Sequence, residues 1–289
     1  MRIALVTETF PPEVNGVART LWQLVLGLAR RGHQVEVYRP DQKAREGECP
    51  AEGWRDVLMA GVPIPVYEGL RFGLPAPRKL LRRWREEVTR PDVVHIATEG
   101  PLGLSALWAA RRLDIPVSTT FHTNFHDYGR FYGMGALRRL GVAYLRWFHN
   151  RADCTLVPAR DVRRRLEEDG FLRVGILSRG VDTELFRPDR RDAELRHSWG
   201  AGPNDLVVVF VSRLAEEKNP QLAAAAFAEV KRVVPDSRCV AVGDGPAREH
   251  MKELVPDLIL CGMRRGPDLA AHYASADLFL FPSLTETFG

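Results

Sequence analysis

Arg213 and Lys218 lie in Ser212-Arg213-Leu214-Ala215-Glu216-Glu217-Lys218, between an apolar run that reads as a strand and a proline, Pro220, that starts a helix. Two cations in one loop at a strand end can close on a single diphosphate. Lysine is scarce in this chain, which sets Lys218 apart, although the same residues also read as a surface pair balanced by Glu216 and Glu217. His122 leaves the apolar run Val117–Phe121 and can donate to a substrate oxygen; the alternative is a histidine that caps its own loop, the reading given to His126. Gly16 precedes a helical stretch, where free amides favour an anion such as phosphate or the loop simply caps the helix. Gly243-Asp244-Gly245 either brings backbone close to a ligand or turns into the next helix. Gly262 and Met263 follow a short strand, where a planar base could lie against backbone. Glu286, near the end of the sequence, could accept hydrogen bonds from sugar hydroxyls or face a helix N-terminus.

The elements that must hold these residues alternate from end to end. Short β-branched runs at Ile3–Val6, Val35–Tyr38, Val93–Ala97, Val117–Phe121, Thr155–Val157 and Val174–Leu177 predict strands. Helices are predicted at Val17–Arg31, Pro77–Thr89, Leu102–Arg112, Ala136–Asn150 and Ala159–Asp169, with Gly32 and Gly170 as stops. The proline- and glycine-broken stretch Arg179–Pro203 reads as a crossing. Beyond it the pattern restarts with strands at Leu206–Val211, Cys239–Val242, Leu258–Leu260 and Leu278–Phe281, and helices at Pro220–Val234 and Pro246–Leu254. The expected fold class is α/β, two Rossmann-like doubly wound parallel-sheet domains at residues 1–185 and 186–289, the second short of the usual five or six strands. In such sheets ligands bind beyond the carboxyl ends of the strands, where the residues above fall. G-x-G-x-x-G is absent from the first loop, which counts against a dinucleotide-dependent dehydrogenase.

Composition bounds the function. Hydrophobic residues make up 45% and charged residues 27%, as in a soluble globular protein, and no apolar run reaches the length of a membrane span. A signal peptide is not evident, so a cytoplasmic protein is expected. The cysteines Cys49, Cys154, Cys239 and Cys261 are far apart and indicate neither disulfides nor zinc. No His/Asp/Glu set has metal-ligand spacing. The first two thirds of the chain are net basic. The runs Arg78–Arg85 and Arg138–Arg146 interleave arginine with Leu, Trp and Tyr, which suits either an anionic membrane surface or, more plainly, a solvated helix face. No nucleic-acid module accompanies the charge.

Taken in order, Asn15-Gly-Val-Ala-Arg-Thr20, Phe121-His-Thr123, Ser178-Arg-Gly-Val-Asp-Thr183, Ser212-Arg213 with Lys218, Gly243-Asp-Gly-Pro246 and Pro282-Ser-Leu-Thr-Glu-Thr-Phe-Gly289 resemble the retaining GT-B glycosyltransferases of family four. Glu99-Gly-Pro-Leu-Gly103 and Phe121-His-Thr-Asn-Phe125 are most similar to its bacterial GDP-mannose-dependent α-mannosyltransferases, which border on glucosyl and sulfoquinovosyl glycolipid synthases.

The resemblance implies a nucleotide sugar, GDP-mannose before UDP-sugars, as donor substrate, no further cofactor, and a lipid or glycoside acceptor. It implies that the second domain holds the donor and the first the acceptor. Arg213 and Lys218 would neutralise the leaving diphosphate without a metal, His122 would contact the donor sugar, and Glu286 would hold its hydroxyls. Backbone near Phe288 and Gly289 would approach the sugar or phosphate, and Gly16 would admit the diphosphate and acceptor. Retention would follow from acceptor attack on the face the diphosphate leaves; double displacement stays open. The family pattern continues with a further glutamate at a helix start, to hold the ribose, and this sequence has none after Glu286. A C-terminally truncated fragment, weak or inactive by itself, is therefore expected. The rivals are a sugar-nucleotide epimerase and a remnant that binds no donor.

Overall fold

The computed structural model describes residues 1–13, 15–41, 53–63, 71–122 and 139–284, and the backbone of 136–138. Glu286, Phe288 and Gly289, with His126 and Cys49, lie outside the described residues. The described residues divide into two compact units, one ending at Arg179 and the other beginning at Gly180.

The first unit runs β1 (Arg2–Val6), α1 (Gly16–Arg30), β2 (Gln34–Pro40), β3 (Trp54–Met59), β4 (Gly61–Pro63), β5 (Arg71–Gly73), α2 (Pro77–Arg85), β6 (Val93–Ile96), α3 (Pro101–Arg112), β7 (Val117–Thr120), α4 (Ala136–His149), β8 (Cys154–Val157), α5 (Arg160–Glu168) and β9 (Val174–Ile176). Seven of the strands form a parallel sheet in the order β3-β2-β1-β6-β7-β8-β9, while β4 and β5 pair as a small antiparallel ribbon. Period-two alternation explains its two covered faces. Ala4 and Val6 of β1 pack with Leu80, Trp84 and Leu102 on one side, and Ile3 and Leu5 pack with Leu21 and Val25 on the other.

The second unit runs α6 (Ala193–Ser198), β10 (Val207–Val211), α7 (Pro220–Val233), β11 (Arg238–Val242), α8 (Arg248–Leu254), β12 (Ile259–Gly262), α9 (Gly266–Ser275) and β13 (Leu278–Leu280). Its parallel sheet has the order β12-β11-β10-β13. Val208 and Phe210 face Ala223, Phe227 and Met251, while Val207 and Val209 face Trp199. The buried Arg196 guanidinium donates to the carbonyls of Ser275 (2.7 Å), Gly202 (2.8 Å) and Asp205 (2.6 Å) and pairs with Asp277. Asp277 also accepts from the Val207 amide at 2.8 Å. Burial opposes its ionisation, yet the Val207 amide and the Arg191 and Arg196 guanidiniums hold its pKa below the usual value.

The structure corrects some expected elements. Helix α2 stops at Arg85 instead of Thr89, because Glu86 turns to extended backbone and the Thr89 hydroxyl donates to the Arg83 carbonyl. The edge strand β3 was not expected, since its Arg55 and Asp56 are exposed and pair with Glu36 and Arg39 of β2. Helix α9 buries Ala270, His272 and Ser275, too small and polar a face to show as a hydrophobic period. Helix α6 lies inside the expected crossing, and Asp192 caps it by accepting from the Glu194 and Leu195 amides.

Candidate functional site

In the first sheet the strand order reverses between β1 and β6, so the loops after these strands diverge at their carboxyl ends. Asn15 caps α1 by accepting from the Ala18 amide at 2.8 Å, which makes Gly16 the first helical residue and not the cap. A Cβ on Gly16 would meet only the Arg179 guanidinium, at an ordinary 3.7 Å.

Glu8 follows β1, and its backbone N–H donates to Thr98 Oγ1 at 3.0 Å. Burial pushes its carboxyl up to about 7; the amides of Leu102 and Gly73 oppose that shift and the charge of Glu99 adds to it. Its Oε1 is buried and has no partner at hydrogen-bonding geometry.

Three histidines converge at the ends of β6, β7 and α4. His95 is fixed between Ser118 Oγ (2.9 Å) and Thr120 Oγ1 (2.5 Å), and burial lowers its pKa to about 4. His149 joins Thr119 Oγ1 (2.8 Å) to Glu99 Oε1 (3.1 Å), and the Tyr144 hydroxyl donates to the Glu99 carbonyl. Both ring nitrogens of His122 are buried without a hydrogen-bond partner. Burial, then the charge of Arg179, then its two histidine neighbours, lower its pKa to about 3. His122 is therefore neutral near pH 7, with one N–H donor and one acceptor both unused.

In the second unit the order reverses between β10 and β13. The loop after β10 holds Ser212 and Arg213, then a 3₁₀ turn at Glu216–Lys218, and ends at Asn219 in a left-handed conformation (φ 54°) before Pro220 opens α7. Arg213 pairs with Glu217 and keeps its side chain 69% exposed. Lys218 shares that turn. The Ser212 hydroxyl donates to the Arg213 carbonyl at 3.0 Å.

Gly243 (φ 134°) and Gly245 (φ 151°) have a role the sequence reading did not include. A Cβ on Gly243 would fall 1.8 Å from the Ser212 carbonyl oxygen, and one on Gly245 would fall 2.4 Å from that of Leu214. The two glycines thus let the loop after β11 lie directly on the loop after β10, where the Leu214 amide donates to the Asp244 carbonyl at 2.9 Å. The Gly243 amide donates to the Gly262 carbonyl at 2.8 Å, which brings the end of β12 to the same place. Gly262 (φ 69°) faces open space and Met263 is exposed.

Ser212, Arg213, Lys218, Gly243, Gly245, Gly262 and Met263 therefore share the carboxyl end of one sheet, and His122 and Gly16 that of the other. Sequence reasoning missed Glu8, Glu99 and His149. Glu99 carried no signal beyond its place in Glu99-Gly-Pro-Leu-Gly103, and His149 read as the end of a basic helix. Among the described residues no group of three or more His, Cys, Asp or Glu could hold a metal ion, and no helix is long and apolar enough to cross a membrane.

The sequence profile of Glycosyltransferase Family 4 matches residues 14–185, and that of Glycosyl transferases group 1 matches residues 205–289. A GDP-mannose-dependent alpha-mannosyltransferase of Mycolicibacterium smegmatis is 38% identical over 100% of this chain and 75% of its own length. An alpha-monoglucosyldiacylglycerol synthase of Streptococcus pneumoniae is 32% identical over 100% of this chain and 67% of its own. Among solved structures, sucrose-phosphate synthase from Thermosynechococcus elongatus superposes with a TM-score of 0.73 at 17% identity, covering 100% of this chain and 77% of that one. That likeness shows the fold, the two-unit parallel-sheet architecture called GT-B. With the first profile matched over more than half of its length, and relatives aligned along the whole of it, the chain belongs to glycosyltransferase family 4.

Proposed function

We propose that this chain transfers mannose from GDP-mannose to a lipid or glycoside acceptor, with retention and without a metal. The observation that carries the reading is the similarity to a GDP-mannose-dependent alpha-mannosyltransferase along the entire chain. In this reading Arg213 and Lys218 leave their surface partners and close on the diphosphate. Their charge then meets the negative charge that grows on the leaving group as the glycosidic bond breaks. The exposed Arg213–Glu217 pair is weak enough in water to be exchanged for phosphate. Gly262 and Met263 offer backbone to the base. The neutral His122 ring donates to a sugar hydroxyl, and a diphosphate oxygen takes the acceptor proton on the face it leaves. Glu286, Phe288 and Gly289 keep the roles the resemblance gives them. A UDP-sugar-dependent glycolipid synthase, glucosyl or sulfoquinovosyl, is the second reading, favoured by the similarity to the alpha-monoglucosyldiacylglycerol synthase.

The unfolding temperature measured with GDP, UDP, ADP and their sugar conjugates tests this. At about 100 times the dissociation constant a ligand adds roughly 2.7 kcal/mol. A shift confined to GDP compounds is expected. A UDP preference moves the reading to glucosyl transfer, and no shift with any nucleotide sinks the transferase reading for this chain.

A lipid acceptor suits the outer face of α4. Leu140, Tyr144 and Trp147 are exposed at helical spacing, and the Arg151 guanidinium lies 4.2 Å from the Trp147 ring centroid. We propose peripheral contact with anionic membrane through this face. The double change Leu140→Ser and Trp147→Ser should reduce sedimentation with anionic phospholipid vesicles several-fold, and equal sedimentation of both proteins would remove the membrane from the account.

A further inference from the structure

Glu8 lies where the first sheet reverses, and its carboxyl occupies a seat left by a glycine. A Cβ on Gly100 would fall 2.2 Å from Oε1 and 2.3 Å from Oε2, and one on Gly73 would fall 3.3 Å from Oε1. Gly100 has φ −70°, which any residue adopts, so what its missing side chain provides is the room the Glu8 carboxyl takes, and a methyl there would push that carboxyl aside. At Gly73 the nearer obstacle is the Leu102 side chain, at 2.7 Å, so it is Gly100 that leaves the room the carboxyl takes. The Leu102 and Gly73 amides lie close enough to act on the carboxyl, yet Oε1 is buried with no donor at hydrogen-bonding geometry. A buried acceptor without a donor is costly, and a fold that makes room for one implies a donor that arrives with a ligand.

We propose that Glu8 is an acceptor-binding residue, whose unpaired oxygen receives a hydrogen bond from a hydroxyl of a neutral sugar or glycerol acceptor and orients it for transfer. This rests on the transferase reading above. Glu8 takes no proton in this role; it holds the hydroxyl while the diphosphate accepts the proton. The titratable groups that face it are Glu99, from the loop after β6, and Tyr144, from α4, whereas β5 and α3 present the backbone amides of Gly73 and Leu102. A carboxylate kept only to serve the N-terminus of α3 is the competing account, and it makes a different prediction for stability.

The carboxyl protonates at about 7 in the folded chain against an ordinary 4.5. Between those values the folded state holds more protons than the unfolded one, so stability falls as pH rises from 4.5 to about 7 and stays lowered above. Glu8→Gln is therefore expected to unfold at higher temperature than the parent at pH 8. A purely structural carboxylate predicts the reverse.

The test follows transfer from GDP-mannose by the full chain to methyl α-D-mannoside and, separately, to dioleoylglycerol, so that glycoside and lipid hydroxyls are told apart. Glu8→Gln should raise KM for the acceptor used by about 10- to 100-fold, the loss of one hydrogen bond to a charged group. The nucleotide-induced thermal shift should be unchanged, and Glu8→Asp should be intermediate. Gly100→Ala, which displaces the carboxyl without removing it, should reproduce the rise in acceptor KM. An unchanged acceptor KM in both Glu8→Gln and Gly100→Ala, with the nucleotide shift retained, overturns the proposal, as does a wild-type chain that binds GDP yet uses neither acceptor. A wild-type chain without any nucleotide shift brings down the transferase reading instead.

Discussion

Alanine at Arg213 or at Lys218 is expected to lower kcat/KM for GDP-mannose about 10²- to 10³-fold, the loss found when a preorganised charge is taken from a transition state. The largest share should fall on kcat, because negative charge on the diphosphate grows as the bond breaks. The double variant should lose less than the product of the two single losses, since both cations act on one leaving group. Stability gives the control. Arg213 is largely exposed and its pair with Glu217 lies at the surface, so the unfolding temperature of the free protein should barely move. Steady-state kinetics with calorimetry of the same samples reads both quantities. A variant that unfolds early as it loses activity would assign Arg213 to the scaffold.

Gly243→Ala should do the opposite, losing activity because the second unit no longer holds together. The added methyl would sit 1.8 Å from the Ser212 carbonyl oxygen, a backbone atom that cannot swing aside, at a φ of 134° that side-chain-bearing residues avoid. Destabilisation of about 4 kcal/mol or more is expected, at the diagnostic end of single-residue effects. Gly262→Ala is the comparison. Its φ of 69° is also left-handed, but the methyl would enter open space, so only the conformational cost of about 1–2 kcal/mol should appear. Urea titration of the two variants, followed by tryptophan fluorescence, separates crowding from backbone strain. Equal midpoints would mean that the loops are not packed as described.

The contrast between those glycines shows what the sequence discloses. The apolar runs of β1, β10 and β11 placed those strands and the prolines opening α2 and α7 placed those helices, because period and capping act locally. The place of His122 at the end of β7 was legible for the same reason. Strand β3 was hidden because an edge strand with charged residues on its exposed face carries no local hydrophobic signal, and α9 because its buried face is built of Ala270, His272 and Ser275. Glu8 was hidden differently. A glutamate after a strand is ordinary, and its meaning lies in Gly100, which comes near it only once the sheet has formed. Gly243 and Gly245 were noticed, yet their reason, the loop after β10, lies in another segment of the chain.

The tie between Asp277 and the Val207 amide has a consequence for how the chain is made. The two residues are 70 positions apart, and β13, which follows Asp277, is the second neighbour of β10. A ribosome adding roughly 5–20 residues per second needs roughly 4–14 s to cover that distance. Throughout that wait Val207–Val211 has emerged with one flank unpaired and the Arg196 guanidinium has no counter-ion to fold onto. An open, wholly apolar strand is a template for pairing with a neighbouring nascent chain. The second unit is thus most exposed to aggregation while it is being synthesised, and a slower or paused elongation between α7 and β13 lengthens that exposure.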